Sequence, residues 1–327
     1  MKKHILYFML GIVVICYAIT FDRIYGGTDE EYGFCVKQTN DGGYILAGST
    51  QSSGAGGRDG WLIKTDMNGE IEWDEVSGGT LDDYFLRVEQ TSDDGFIVLG
   101  AQNMDNDNGD FWLIKYDKTG KEKWSKVYQY SDSAIVGRDI QITSDDGFVI
   151  VGSKFNYNYN DLWVLKTDDR GEEVWSRTYD FGYEDYATSV IVNNTGNYVV
   201  VGSKQSYKTV LAGNDPPYMM EIQQEDILVV EINDSGAFIN SNIIGSAYSD
   251  EYCYSIQNTF DSGYILTGIK NPFEYSVNTD TKDLILLKLD FWLNEDWNKI
   301  FDGNGDELGR IVNETVNNNL IILGRTT

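Results

Sequence analysis

"TSDDGFIVLG" runs from Thr91 to Gly100, and "TSDDGFVIVG" runs from Thr143 to Gly152; the two differ only in which apolar residues they use. The phrase belongs to a longer block that recurs along the chain. "DGGYILAG" (from Asp41), "TGNYVVVG" (from Thr195), "DSGYILTG" (from Asp261) and "NNNLIILG" (from Asn317) are its other copies. A second block follows all but the last: "DGWLIKTD" (Asp59), "DFWLIKYD" (Asp110), "DLWVLKTD" (Asp161), "DILVVEIN" (Asp226) and "DLILLKLD" (Asp283). A third ends in Trp73, Trp124 and Trp175, loses the tryptophan at Asn240, and regains it at Trp297.

Each unit therefore holds four short runs, A to D, rich in β-branched and aromatic residues and bounded by Gly, Asp and Asn. In the first unit they are "YGFCVKQT", "GYILAGST", "GWLIKTD" and "EIEWDEVS". Runs B and C are apolar with little alternation, the pattern of strands covered on both faces. No run reaches helical length before a Gly or Asp turn. Four antiparallel strands in a unit of about 50 residues, repeated radially, predict an all-β fold, a β-propeller. Six blades are expected, the last incomplete, with repeats near 22–73, 74–124, 125–175, 176–240, 241–297 and 298–327 in one domain over 19–327. "FDRIYGG" (Phe21 to Gly27) aligns with run D, with Phe21 at the tryptophan position.

"KYDKTGKEKW" (Lys115 to Trp124) resembles the tryptophan-docking motif of quinoprotein-like propellers. The whole unit is similar to repeats in secreted bacterial and archaeal propeller proteins. The resemblance implies a structural role for Trp73, Trp124, Trp175 and Trp297. It does not imply the quinone: the vicinal cysteine pair of those dehydrogenases is absent.

The formal charge is −27 over 327 residues, which disfavours nucleic acid and anionic membranes as partners. Lys2, Lys3 and His4 precede a short apolar run and "CYA", which reads as a signal peptide over residues 1–18. An uncleaved membrane anchor and a lipoprotein lipidated at Cys16 are the alternatives. Cleavage implies a secreted, periplasmic or cell-surface protein. It also removes His4, the only histidine, and brings the charge to −29. A Ser-His-Asp triad and an ordinary zinc site are then excluded. Cys35 and Cys253 occupy non-equivalent repeat positions and are expected to be free thiols. Carboxylate chemistry stays open, although the sialidase box S-x-D-x-G-x-x-W does not occur.

An A-B-C-D meander puts the A–B and C–D turns on one face, and the B–C loops and D–A links on the other. The B–C loops vary in length and hold all three prolines. Their aromatics, Tyr157, Tyr159, Tyr207, Tyr218, Phe273 and Tyr275, are the candidate contacts for a protein or glycan. The D–A links carry recurring acids: Asp29 with Glu30, Asp82 with Asp83, Asp132, Glu184 with Asp185, Asp250 with Glu251, and Asp306 with Glu307. They are candidate oxygen ligands for Ca²⁺. Asp59, Asp110, Asp161, Asp226 and Asp283 open every run C; equal use in each unit argues for architecture, and the lysines ending run C read the same way. A monomeric binding or scaffold module is expected, with a carboxylate-dependent glycan-active enzyme as the alternative.

Overall fold

The structure is a computed structural model, and it describes residues 21–105, 108–129, 134–156, 158–212, 218–246, 248–272, 281–303 and 305–327. The signal-peptide reading, Asp132, Tyr157, Phe273 and Tyr275 lie outside these residues.

Among the described residues there are only strands. Sheet 1 contains β1 (Glu31–Gln38), β2 (Tyr44–Thr50), β3 (Asp59–Thr65) and β4 (Ile71–Ser77). Sheet 2 contains β5 (Asp82–Gln90), β6 (Phe96–Asp105), β7 (Asn108–Tyr116) and β8 (Glu122–Tyr128). Sheet 3 contains β9 (Ile135–Ile142), β10 (Phe148–Asn156), β11 (Tyr159–Thr167) and β12 (Glu173–Tyr179). Sheet 4 contains β13 (Asp185–Val192), β14 (Tyr198–Ala212), β15 (Tyr218–Ile232) and β16 (Phe238–Ile244). Sheet 5 contains β17 (Ser249–Asn258), β18 (Tyr264–Pro272), β19 (Asp283–Leu289) and β20 (Glu295–Phe301). Sheet 6 contains β21 (Glu307–Glu314) and β22 (Leu320–Thr326). Strands pair in chain order and antiparallel within every sheet, so runs A to D are the four strands of sheets 1 to 5, and runs A and B are the two of sheet 6.

The continuous apolar character of runs B and C follows from the packing. Phe96 and Val98 of β6 share a core with Ile45 and Leu62 of sheet 1. Their neighbours Ile97 and Leu99 share another with Phe148 and Trp163 of sheet 3. Val149 and Val164 then pack on Tyr198 and Val230 of sheet 4, and Val199 and Val229 pack on Tyr264 and Leu287 of sheet 5. Successive side chains point to opposite faces of a strand, and here both faces are covered.

The glycine closing each B block has a local cause. It pairs across from a bulge in strand A, as Gly48 does with Gly33 and Gly152 with Gly137. A Cβ on Gly152 would lie 1.8 Å from the Val136 carbonyl oxygen.

At the other edge, strand D reaches the C–D turn of the following sheet. Gly120 has φ 84° and lies under Trp73; a Cβ there would come within 2.7 Å of the indole. Trp73 Nε1 donates to the Lys118 carbonyl at 3.2 Å, and Trp175 Nε1 to the Asp234 carbonyl at 2.9 Å. Asn240, which replaces the tryptophan, still donates to the Trp292 carbonyl at 3.0 Å. Four residues after Trp124 and Trp175, Tyr128 and Tyr179 donate to the carbonyls of Gly171 and Gly236. Phe21 and Tyr25 reproduce the pair: the Phe21 ring lies over Gly69, and the Tyr25 hydroxyl donates to the Gly69 carbonyl at 2.7 Å. Residues 21–27 thus occupy the place of a D strand ahead of sheet 1. Trp73, Trp124 and Trp175 are half-buried, whereas Trp297 is 37% exposed, because sheet 6 has no C–D turn to receive it.

The buried lysines ending run C are held by the A–B turns. Lys64, Lys115, Lys166 and Lys288 pair with Asp41, Asp93, Asp145 and Asp261 at 2.8–2.9 Å. Where Glu231 takes the lysine position, the turn changes with it. Asn193 and Asn197 donate to the Glu231 carboxylate at 3.1 and 2.8 Å, so the buried charge keeps its partners. Cys35 and Cys253 are free.

Replacing Trp124 with alanine removes a large aromatic contact between sheets 2 and 3, and a loss of about 3 kcal/mol is expected. Urea unfolding measures it; an unchanged midpoint would show that strand D contributes nothing across the junction.

Candidate functional site

A repeated acidic arrangement stands at four junctions, between sheets 1 and 2, 3 and 4, 4 and 5, and 5 and 6. It begins with the aspartate opening strand C, which ends the B–C connection, and with the two acids opening strand A of the next sheet. The first of the two acids is a staple. Asp82, Glu184, Asp250 and Asp306 accept hydrogen bonds from the backbone amides of Arg58, Asn160, Glu225 and Lys282, each immediately before a strand C aspartate. The second acid folds back on its own link. Asp83, Asp185, Glu251 and Glu307 accept from the amides of Gly79, Phe181, Ser246 and Gly303. At the amino end Glu30 and Glu31 hold the equivalent positions, one residue on from the expected Asp29 and Glu30. Glu31 accepts from Ser52 and Thr50, while Asp29 is exposed.

Asp59, Asp161 and Asp283 face the second acids Asp83, Asp185 and Glu307. Asp59, Asp161 and Asp226 are buried, and Asp110 and Asp283 are half-buried. Asp59 Oδ2 accepts from the Ala55 amide at 3.1 Å. Its Oδ1 has no partner, and the same is true of Asp185 Oδ1 and Asp283 Oδ1. Burial, and then the neighbouring acids, push the carboxyls of Asp59 and Asp283 upward. Asp110 accepts from the Asn103 side-chain amide.

The acids are thus distributed one set at each of these four junctions, and backbone amides hold most of them. The junction between sheets 4 and 5 is neutralised by lysines: Lys208 on Asp226 at 2.6 Å and Lys270 on Glu251 at 3.2 Å. At the junction between sheets 3 and 4 no ion pair reaches the acids among the described residues, and Lys204 acts on Asp185 only through space. There Asp161, Asp180 and Asp185 each place one carboxylate oxygen within 4.8 Å of the others. Asp180, in the D–A link, carries no recurring position, so the repeat pattern did not mark it.

Above this junction lie exposed tyrosines. Tyr183 stands between Tyr159 and Tyr207, with ring centroids 5.6 and 4.9 Å away and both contacts edge-on. Tyr159 and Tyr183 are each 41% exposed and Tyr207 is 49% exposed. Two of the three were expected from the B–C loops. Tyr183 comes from a D–A link and joins them only because those links share a face with the loops. Tyr218 opens β15, and its side chain lies outside the described residues.

The longest B–C segment, Lys204 to Glu225, was expected to be a loop. Instead β14 and β15 continue as a paired ribbon from Gln205↔Glu225 to Ala212↔Tyr218. The neighbouring strands stop earlier, at Asp185↔Lys204 and Ile227↔Ile244, so the ribbon extends beyond its sheet. Cross-strand pairing across "KQSYKTVLA" and "YMMEIQQE" overrode the loop reading, because both segments can extend the flanking strands without a break. Glu225 lies at the base of the ribbon. Burial, and then the nearby Asp250, Glu184 and Asp185, push its carboxyl up to about 7, although Gln205 partly offsets this.

Fold and site together define an all-β repeat protein with an acidic, tyrosine-lined loop face. No protein-family model matches the chain. The regulatory protein FlaEY of Caulobacter vibrioides is 25% identical over 190 residues, a match covering 53% of this chain and 20% of that protein. The chain therefore spans about a fifth of that relative's length. Among solved structures, a hypothetical protein from Leishmania major aligns at TM-score 0.40 and 8% identity, over 88% of this chain and 93% of that one. The mannose phosphorylase MPT-4 of Leishmania mexicana, in complex with phosphate ion, aligns at 0.37 and 10% identity, over 77% and 82%. A eukaryotic initiation factor aligns at 0.36 and 10%, over 82% and 65%. These scores carry no functional assignment.

Two sets of carboxylates set opposite limbs of the pH dependence of stability. The Thr39 and Thr259 hydroxyls, and then the run C lysines, hold Asp41 and Asp261 near 2. At Asp145 burial acts upward, but Lys166 and Thr143 outweigh it and again leave the group near 2. With an unfolded value of about 3.9, these three stabilise the fold above that pH and lose the effect as pH falls toward 2. Glu225 behaves in reverse. Its folded value of about 7 exceeds an unfolded value of about 4.3, so stability rises as pH falls from 7 toward 4. A melting temperature that peaks near pH 4 to 5 is expected from scanning calorimetry, with the neutral limb flatter in Glu225→Gln. A wild-type curve declining steadily from pH 7 downward would contradict this.

Proposed function

We propose that the chain is a β-propeller that acts as a binding or scaffold module, secreted or on the cell surface, and engages protein or glycan through its B–C loop face. The observation that carries this reading is the exposed row Tyr159–Tyr183–Tyr207. Large, stiff aromatic side chains offer contact area with few rotamers to lose, and tyrosine adds a hydroxyl for polar recognition. The β14–β15 ribbon beside them presents exposed Met219 with its backbone already paired, which lowers the ordering cost of binding.

The propeller reading draws on the serial packing of the sheets and on residues 21–27. Those residues dock on sheet 1 as strand D of each blade docks on the next, and in a closed ring they would be the outer strand of the sixth blade. The two ends also match in character. Tyr32, Phe34 and Val36 of β1 are exposed, as are Ile321 and Leu323 of β22, and ring closure would cover such surfaces.

A carboxylate-dependent glycan-active enzyme is the second reading. Glu225 favours it, because a carboxyl near pH 7 suits a general acid.

Binding is tested with a glycan array and a secreted-protein array probed with residues 19–327. Tyr183→Ala and Tyr207→Ala should each weaken any hit about tenfold or more; unchanged binding would move the site off this face. Turnover of a bound glycan that disappears in Glu225→Gln would favour the enzyme. Closure is tested by solution X-ray scattering. A closed monomer of this size should have a radius of gyration of about 19–20 Å, and a clearly larger value would replace the ring with an open array.

A further inference from the structure

The junction between sheets 3 and 4 differs from its neighbours in how its acids are neutralised. Asp161 opens β11, Asp185 opens β13, and Asp180 lies in the link before β13. Their carboxylate oxygens converge within 4.8 Å, two from buried side chains and one from an exposed side chain. Asp185 is 0% exposed, and one of its oxygens accepts from the Phe181 amide at 2.6 Å. The other, Oδ1, is buried without a hydrogen-bond partner. A buried carboxylate oxygen with no donor is costly.

Cations of the chain itself do not complete the group. Among the described residues no ion pair reaches Asp161, Asp180 or Asp185. The Lys204 ammonium is turned to the Phe181 carbonyl instead. At the next junction the same architecture carries its positive charge inside. Lys208 Nζ bridges Asp226 Oδ1 at 2.6 Å and the Ser246 carbonyl at 2.9 Å. A side-chain ammonium thus bonds directly to the strand C aspartate at the later junction, whereas at the earlier one Lys204 acts on Asp185 only through space.

We propose that Asp161, Asp180 and Asp185 bind a calcium ion. Three convergent carboxylates suit a hard cation that takes oxygen ligands, and exposed Asp180 leaves the group open to solvent for entry and for water ligands. The site tethers the link after β12 to the opening of β11, beneath Tyr183. The ion would order the tyrosine row as well as the junction.

Calorimetric titration of residues 19–327 with calcium chloride tests the proposal, with magnesium chloride at matched ionic strength and sodium chloride as controls. A single calcium isotherm is expected, with a dissociation constant of about 10⁻⁴ to 10⁻³ M, the range of extracellular calcium modules. Asp185→Asn and Asp161→Asn should weaken it at least tenfold, and Asp283→Asn, at another junction, should leave it unchanged. Asp180→Asn alters an exposed side chain and leaves folding intact, so its expected loss of affinity stands even if a buried variant fails to fold. Absence of a saturable calcium signal, or equal affinity in Asp180→Asn and wild type, overturns the assignment. An equal response to magnesium also overturns it as a calcium site.

Discussion

The structure depends on covering both faces of strands B and C. Alternate residues of β6 enter two different cores, one shared with sheet 1 and one with sheet 3. The same holds for β10 and β14. A sheet built this way cannot bury its apolar side chains alone, so each sheet is stable only between neighbours. The remaining recurring features serve that stacking. The strand A bulge and its facing glycine let the backbones approach, strand D seals the outer edge through its docking residue, and the lysine–aspartate pair fixes the A–B turn against strand C.

The junction acids follow from the same stacking. One acid of each pair fastens strand A to the start of the previous strand C through a backbone amide, and the other braces its own link. Because this scaffold already satisfies most carboxylate oxygens, the exceptions become informative. Lysines neutralise one junction, and at another three carboxylates converge without an ion pair among the described residues. Departure from the repeat, more than the repeat itself, marks the place where an ion or ligand is expected.

Compensation across the repeats is visible in two places. Glu231 stands where other units have lysine, and the facing turn supplies asparagine amides in place of an aspartate. Asn240 stands where others have tryptophan and keeps the hydrogen bond to the next turn while giving up the aromatic contact. Both show the junction geometry persisting while its chemistry changes.

The sequence by itself determined most of the strands and their antiparallel order. These rest on local patterns: apolar runs of strand length, Asp-Gly turns, and a block that recurs at regular spacing. It also placed Phe21 at a docking position, because a short motif aligned with run D. Only the tertiary structure decided what meets across the sheets. Tyr183 joined Tyr159 and Tyr207 from a link that carries no aromatic pattern, and Asp180 joined Asp161 and Asp185 from a position without a repeat. The Lys204–Glu225 segment became a ribbon because its two halves pair with each other over long range, which no local composition encodes. Contacts between separate units depend on how sheets stack in space, and a one-dimensional repeat does not contain that distance.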